Sequence, residues 1–212
     1  MNFTYTKRPF LLTLSFLFTL TLSANVNITE DLAFIEIEVD DKKVKIERIQ
    51  DTKHKLKNNY TKTSRLVPPF SIQPFEPVKG VETIAELEVL DFMQNELKEN
   101  SGLLIDARLE KWYEQSSIPG AMNIPFSMLT PDKSNSFAAQ VFELFGASKK
   151  GDIWEFSDAQ TLIVFDNGPW CQQGVQAIKN IVQQGYPKSK IKYYRGGMQY
   201  WHILGLTTTK TN

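Results

Sequence analysis

Cys171 is the only cysteine among 212 residues, and His54 and His202 are the only imidazoles. A single thiol forms no intramolecular disulfide and builds no multi-cysteine zinc site, so no metal is expected. What it can do is act as a nucleophile, once something favours the thiolate. Its flanks, Asn167-Gly168-Pro169-Trp170 and Gln172-Gln173-Gly174, are loop formers, between an apolar run at 161–165 and helical spacing over 174–184. Cys171 therefore reads either as a reactive thiol at a strand-to-helix turn or as a buried inert one. At such a turn the amides of Gln173, Gly174, Val175 and Gln176 and the positive end of the helix dipole would lower a thiol pKa and cradle an anion. The glutamines Gln172, Gln173 and Gln176 donate hydrogen bonds but carry no charge. Arg195 either returns a positive charge to this pocket or is an ordinary strand-end arginine. Trp170 would shield the sulfur from water or cap the core. Asp106 and Arg108 stand two apart on a strand and share a face, which reads as a salt bridge. His54, between Lys53 and Lys55, reads as solvated, and His202 as a surface or capping residue.

The elements that must position the thiol alternate. Apolar runs at 103–105, 161–165 and 191–194 read as buried strands, and helical spacing occupies 84–98, 110–114, 136–146, 174–184 and 198–204. Thr83-Ile84-Ala85-Glu86 fits a capping box. Strands alternating with helices predict an α/β domain of three layers, over 81–206, with a mainly parallel central sheet. Ahead of it, 34–49 alternates apolar and charged residues around Asp40-Asp41-Lys42-Lys43, a hairpin signal, and Pro68, Pro69, Pro74 and Pro77 favour extended chain. Residues 25–80 thus form a small β-rich extension and connector, expected to dock through Phe70, Ile72 and Phe75 and offering a surface for a protein partner. Residues 207–212 read as a polar tail. Residues 1–24 carry Lys7-Arg8, an uncharged run from Pro9 to Leu22, and Ser23-Ala24, the three parts of a secretory signal. An exported chain, periplasmic in a Gram-negative bacterium and free of the membrane once cut, is expected. Lys+Arg and Asp+Glu both count 24, so the charge balance gives no footprint for nucleic acid.

Three segments together resemble a rhodanese-like domain. Leu104-Ile105-Asp106-Ala107-Arg108 followed by Ile118-Pro119-Gly120-Ala121-Met122-Asn123-Ile124-Pro125 is similar to that family's first motif pair, with Ser117 where many members have His. The strand, Cys-containing loop and helix ending Gln184-Gly185-Tyr186 form the second, and Gly196-Gly197-Met198-Gln199-Tyr200-Trp201 the third. The resemblance implies a single-domain sulfurtransferase that needs no cofactor. Cys171 would carry sulfur as a persulfide from a small sulfur-containing donor to a thiol or cyanide-like acceptor. Trp170, Gln172, Gln173, Gly174, Val175, Gln176 and Arg195 would form its anion-binding loop. The family usually places its nucleophile directly after the strand, where this chain has Asp166 or Asn167, with Cys171 four or five residues later. The alternative is a non-catalytic module of the same fold that binds an anion or a partner protein in the cleft. A phosphatase ranks last, since Gln176 or Ala177 stands where the loop would need Arg.

Overall fold

A computed structural model describes residues 25–63, 65, 75–131, 135–151 and 153–209. The signal segment, Phe70 and Ile72 lie outside the described residues. Strands β1 (Phe34–Val39) and β2 (Lys42–Glu47) form an antiparallel hairpin in which Val39 faces Lys42. Its two-residue turn holds Asp40 and Asp41 at φ of 50° and 60°. Positive φ at both central residues is what the strand twist asks of so short a turn, and Asp tolerates it better than larger side chains.

Next come β3 (Glu82–Ile84), α1 (Glu86–Phe92), β4 (Gly102–Asp106), α2 (Glu110–Tyr113), β5 (Met122–Asn123) and α3 (Ser136–Leu144). The chain continues through β6 (Ser148–Lys150), β7 (Ile153–Glu155), β8 (Thr161–Phe165), α4 (Gln173–Gln183), β9 (Ile191–Tyr194) and α5 (Gly197–Ile203). The central sheet has five strands in the order β3-β9-β8-β4-β5, and every neighbouring pair is parallel. The mainly parallel α/β sheet expected from the sequence is thus present.

Strand alternation divides the core in two. Ile105, Leu162, Val164 and Tyr193 face α3 and α4, meeting Phe142, Val175, Ile178 and Ile181. Leu104, Ile163, Phe165 and Tyr194 face the other way, meeting Val89 and Leu90 of α1 and Met198 and Trp201 of α5. The hairpin belongs to this second face: Ile35, Ile37 and Ile46 are buried there. Each such side chain contributes about 1.5–3 kcal/mol when removed from water. Thr207, placed by sequence in a polar tail, donates its amide to the Glu47 carbonyl at 3.0 Å, and Arg48 Nε donates to the Leu204 carbonyl at 2.9 Å. Phe75 packs on the first face, edge-on to Tyr193.

Two local expectations are corrected. Thr83 pairs with β9 as a strand residue, and its hydroxyl donates to the Phe75 carbonyl, so it caps no helix. The helix starts two residues later, where the Glu88 carboxylate accepts the Ala85 amide at 3.0 Å. The helical spacing to residue 98 is realised as α1 followed by a π-helical turn over Met93–Leu97. The small antiparallel pair of β6 and β7 had no clear alternation to announce it.

Candidate active site

β8 delivers its carboxyl end to the crevice where open α/β sheets bind ligands, and the loop 166–172 turns there into α4. Asp166, the first residue past β8, is fully buried. The loop wraps around its carboxylate: the Gly168 amide donates to Oδ1 at 3.0 Å and the Gly174 amide to Oδ2 at 2.7 Å. The Cys171 side chain also favours the charged form of this carboxylate. The Cys171 amide closes the loop on the Gly168 carbonyl at 2.8 Å. Gly174 is needed here because a Cβ would stand 3.1 Å from Asp166 Oδ2 and from a Tyr193 ring carbon.

This arrangement corrects the expected electrostatics. An amide of the first turn of α4, assigned by sequence to an external anion, is held by the chain's own carboxylate. Burial first, then the Asp166 charge, pushes the Cys171 thiol up to about 11, against hydrogen bonds from the Gln173 and Asn167 amides and the Asn167 side chain. Burial likewise raises Asp166 to about 6, although Gly168, Gly174 and the thiol all stabilise its charge. Cys171 itself is 8% exposed.

The other residues assigned to the loop scatter. Val175 belongs to the core below, and Gln172 and Gln176 are exposed, the latter bonding Asn180 Oδ1 at 2.8 Å. Trp170 donates from Nε1 to Gln199 Oε1 at 3.1 Å. Arg195 lies over the Phe75 ring, 4.8 Å from its centroid, in a separate hollow with Pro169 and Tyr200.

The cation that feels the thiol is Arg65, from the extension. Its guanidinium lies 3.5 Å from the centroid of the Trp170 ring, and a charge on Cys171 would stabilise it. Tyr60 enters beside it: its hydroxyl donates to Asn167 Oδ1 at 3.1 Å, its carbonyl accepts from Gln199 Nε2 at 2.8 Å, and its ring stacks on half-buried His202. Asn167 Nδ2 then stands 3.7 Å from Cys171 Sγ. Asp106 and Arg108 form the expected pair, fully buried and bidentate, with Nε–Oδ1 at 2.8 Å and Nη2–Oδ2 at 2.6 Å. Ser117 Oγ donates to Asp106 Oδ2 at 2.7 Å, and Arg108 Nη1 reaches the Tyr60 hydroxyl at 3.2 Å. The sequence left one signal for Asp166, its place directly after the strand. It left none for Tyr60 or Arg65, which are distant along the chain.

A fold of this kind with a thiol-bearing loop at the sheet's carboxyl edge defines a class. The family model of the Rhodanese-like domain matches residues 89–204, more than half of the chain. The chain belongs to the rhodanese-like domain family. Among solved structures it is similar to a Bacillus halodurans protein at 18% identity, covering 61% of this chain and 77% of that one with a TM-score of 0.44. A human single-domain sulfurtransferase is 24% identical, with coverage of 58% and 96% and a TM-score of 0.40. A rhodanese-related protein of Thermoplasma volcanium is 18% identical, with coverage of 61% and 98% and a TM-score of 0.38. A search of the curated proteins gives no match. Among the described residues no helix is long and apolar enough to cross a membrane.

Proposed function

We propose that this chain is a sulfurtransferase that carries sulfane sulfur on Cys171, with Asp166 as the base that takes the thiol proton. The observation that carries the reading is a buried carboxylate oriented by two backbone amides in the loop that bears the lone thiol, with its charge acting on that thiol. A nucleophile near a base that further groups orient is the general pattern of an activated nucleophile. With the thiol near 11, the resting thiolate at neutral pH is on the order of 10⁻⁴ of the protein. Pre-ionised sulfur therefore contributes little, and the proton must leave as the new bond forms. Asp166, near 6, is ionised at neutral pH and free to accept it.

With an organic persulfide R–S–SH as donor, Sγ bonds to the outer sulfur while the Cys171 proton passes to Asp166. The donor S–S bond breaks, and the departing thiolate takes that proton. Cys171–SH and R–S–SH become Cys171–S–SH and R–SH, with no net oxidation. An acceptor thiolate then removes the outer sulfur. The amides of Gln173 and Asn167 and the Asn167 side chain stabilise negative charge on Sγ throughout. The Asp166 carboxylate repels a doubly charged donor, so thiosulfate is a poor substrate.

Intact mass spectrometry after incubation with a persulfide donor tests this. Wild type gains one sulfur atom and Cys171→Ser gains none; failure of wild type to gain sulfur from any donor overturns the reading. The competing reading, a non-catalytic module, is favoured by Asp166 filling part of the anion cradle, and would then replace it. We propose as well that residues 1–24 direct export and are removed. An intact mass retaining them, or recovery from the cytoplasm, contradicts that.

A further inference from the structure

One side chain from the thiol, across Asn167, lies a cavity of about 210 Å³ whose lining includes Tyr60, Lys62, Arg65, Trp112, Asn167 and Trp170. We propose that it binds a small organic monoanion: an apolar or aromatic body between the rings and a carboxylate-type charge on Arg65 and Lys62. This rests on the sulfur-transfer reading and names its substrate class, an organic persulfide whose charge sits on the organic part.

Four observations carry it. The lining holds two cations and no carboxylate, and among the described residues neither Lys62 nor Arg65 forms an ion pair. Arg65 gives Nη2 to the Asn59 carbonyl at 2.8 Å, but its buried Nε has no acceptor. A guanidinium with a buried donor left without an acceptor, pressed on an indole face, is costly to desolvate unless an anion joins it. Burial indeed lowers the Arg65 pKa. Tyr60, Trp112 and Trp170 supply flat faces, and the volume is below the roughly 300–1,000 Å³ of pockets for drug-sized ligands, which fits a small molecule.

The last observation is polarity across the sulfur. Asn167 both lines the cavity and contacts Sγ at 3.7 Å, so a ligand here ends one side chain from the thiol. The Asp166 charge acts on the same sulfur and repels negative charge, whereas Arg65 attracts it. A donor with its charge on the body, remote from the transferred sulfur, satisfies both. Inorganic thiosulfate satisfies neither the rings nor Asp166.

Calorimetric titration of the full chain as Cys171→Ser, with benzoate as probe, tests the site without any chemistry. Benzyl alcohol supplies the body without charge, and sulfate the charge without the body. Benzoate binds, and the two controls bind at least about tenfold more weakly. Arg65→Gln and Lys62→Gln each weaken benzoate about tenfold while the melting temperature stays within about a degree or two of the parent. Absence of benzoate binding at millimolar concentration overturns the proposal, as does sulfate binding as well as benzoate, or unchanged affinity in both variants. Benzoate binding in a protein that gains no sulfur from any persulfide would keep the anion site and remove the transfer reading. Sulfur transfer with no benzoate site would do the reverse.

Discussion

The Tyr60 hydroxyl donates to Asn167 Oδ1 at 3.1 Å across 107 residues of sequence. Arg108 Nη1 donates to the same phenol oxygen at 3.2 Å and to Oδ1 itself at 3.4 Å. With two donors on its oxygen, the Asn167 amide must turn its nitrogen to Cys171 Sγ. The extension thereby sets the orientation of a donor to the sulfur. Tyr60→Phe removes the phenol link and costs about 1 kcal/mol in stability. Loss of a well-aimed donor to Sγ also shifts the midpoint of Cys171 alkylation to higher pH. Iodoacetamide rates measured against pH check it; a midpoint equal to wild type contradicts the ordering role.

Asp166 makes stability and activity depend on pH in opposite senses. Its folded pKa, about 6, lies above the ordinary 3.8, so the native state binds its proton more tightly than the unfolded chain does. The contribution is fully present below pH 4 and is lost as pH rises through 6, about 3 kcal/mol in all. Sulfur loading runs the other way, falling below pH 6 as the base is protonated. Asp166→Asn costs stability at every pH, because an amide NH₂ meets one of the two backbone N–H donors. Urea titrations from pH 4 to 7 should nevertheless show its deficit shrinking as pH rises, and loading should lose its acid limb.

The Asp106–Arg108 pair makes a different prediction. Both side chains are buried, so removing one partner strands a charge, at a cost of about 3–5 kcal/mol. Arg108→Met should cost this much, leaving Asp106 with Ser117 and the Arg108 amide as its remaining donors. Thermal or urea unfolding reads it directly. A variant within 1 kcal/mol of wild type would mean that the pair is offset by its own desolvation.

The same residues show how far sequence reasoning reached. The spacing of Asp106, Arg108 and Gly196-Gly197, together with apolar runs bounded by loop formers, is local, and local signals predicted the parallel sheet, the hairpin and the place of Cys171 between strand and helix. The state of the thiol is not local. It depends on a carboxylate five residues back turning into the loop, and on Arg65 and Tyr60 arriving from an extension whose composition marks only a hairpin and a connector. A helix N-terminus predicts a lowered thiol pKa only while its amides are unclaimed, and Asp166 had claimed one. Thr83 shows the same competition: a capping signal lost to parallel pairing with β9.

The hairpin's burial predicts that the extension is integral to stability. Ile46 has no exposed surface and packs on the face shared with α1 and α5. Ile46→Ala should cost about 2–5 kcal/mol, the range for deleting such a side chain from a packed core. A single cooperative urea transition shifted to lower denaturant is expected. Two separate transitions would show instead that the hairpin folds apart from the sheet.

The final prediction concerns Gly197, where the second glycine of the Gly-Gly pair meets the thiol loop. The Met198 amide donates to the Asp166 carbonyl at 3.0 Å and the Gln199 amide to the Asn167 carbonyl at 2.9 Å, so the loop rests directly on the start of α5. Gly197 has φ of +50°, and a Cβ there would stand 2.3 Å from the Asp166 carbonyl oxygen and 2.9 Å from the Gly168 amide nitrogen. Both are backbone atoms of the loop and cannot swing aside as a side chain can. Gly151 offers the comparison, since it has φ of +62° with nothing within 4 Å of the added carbon. Gly151→Ala therefore carries only the left-handed backbone cost of about 1–2 kcal/mol. Gly197→Ala carries that cost plus about 1–3 kcal/mol of overpacking. It also moves Asp166 relative to Cys171, so the alkylation profile of the thiol should shift in Gly197→Ala and stay fixed in Gly151→Ala. Equal losses of stability in the two variants, with unchanged thiol profiles in both, would show that the loop has room to move away from α5.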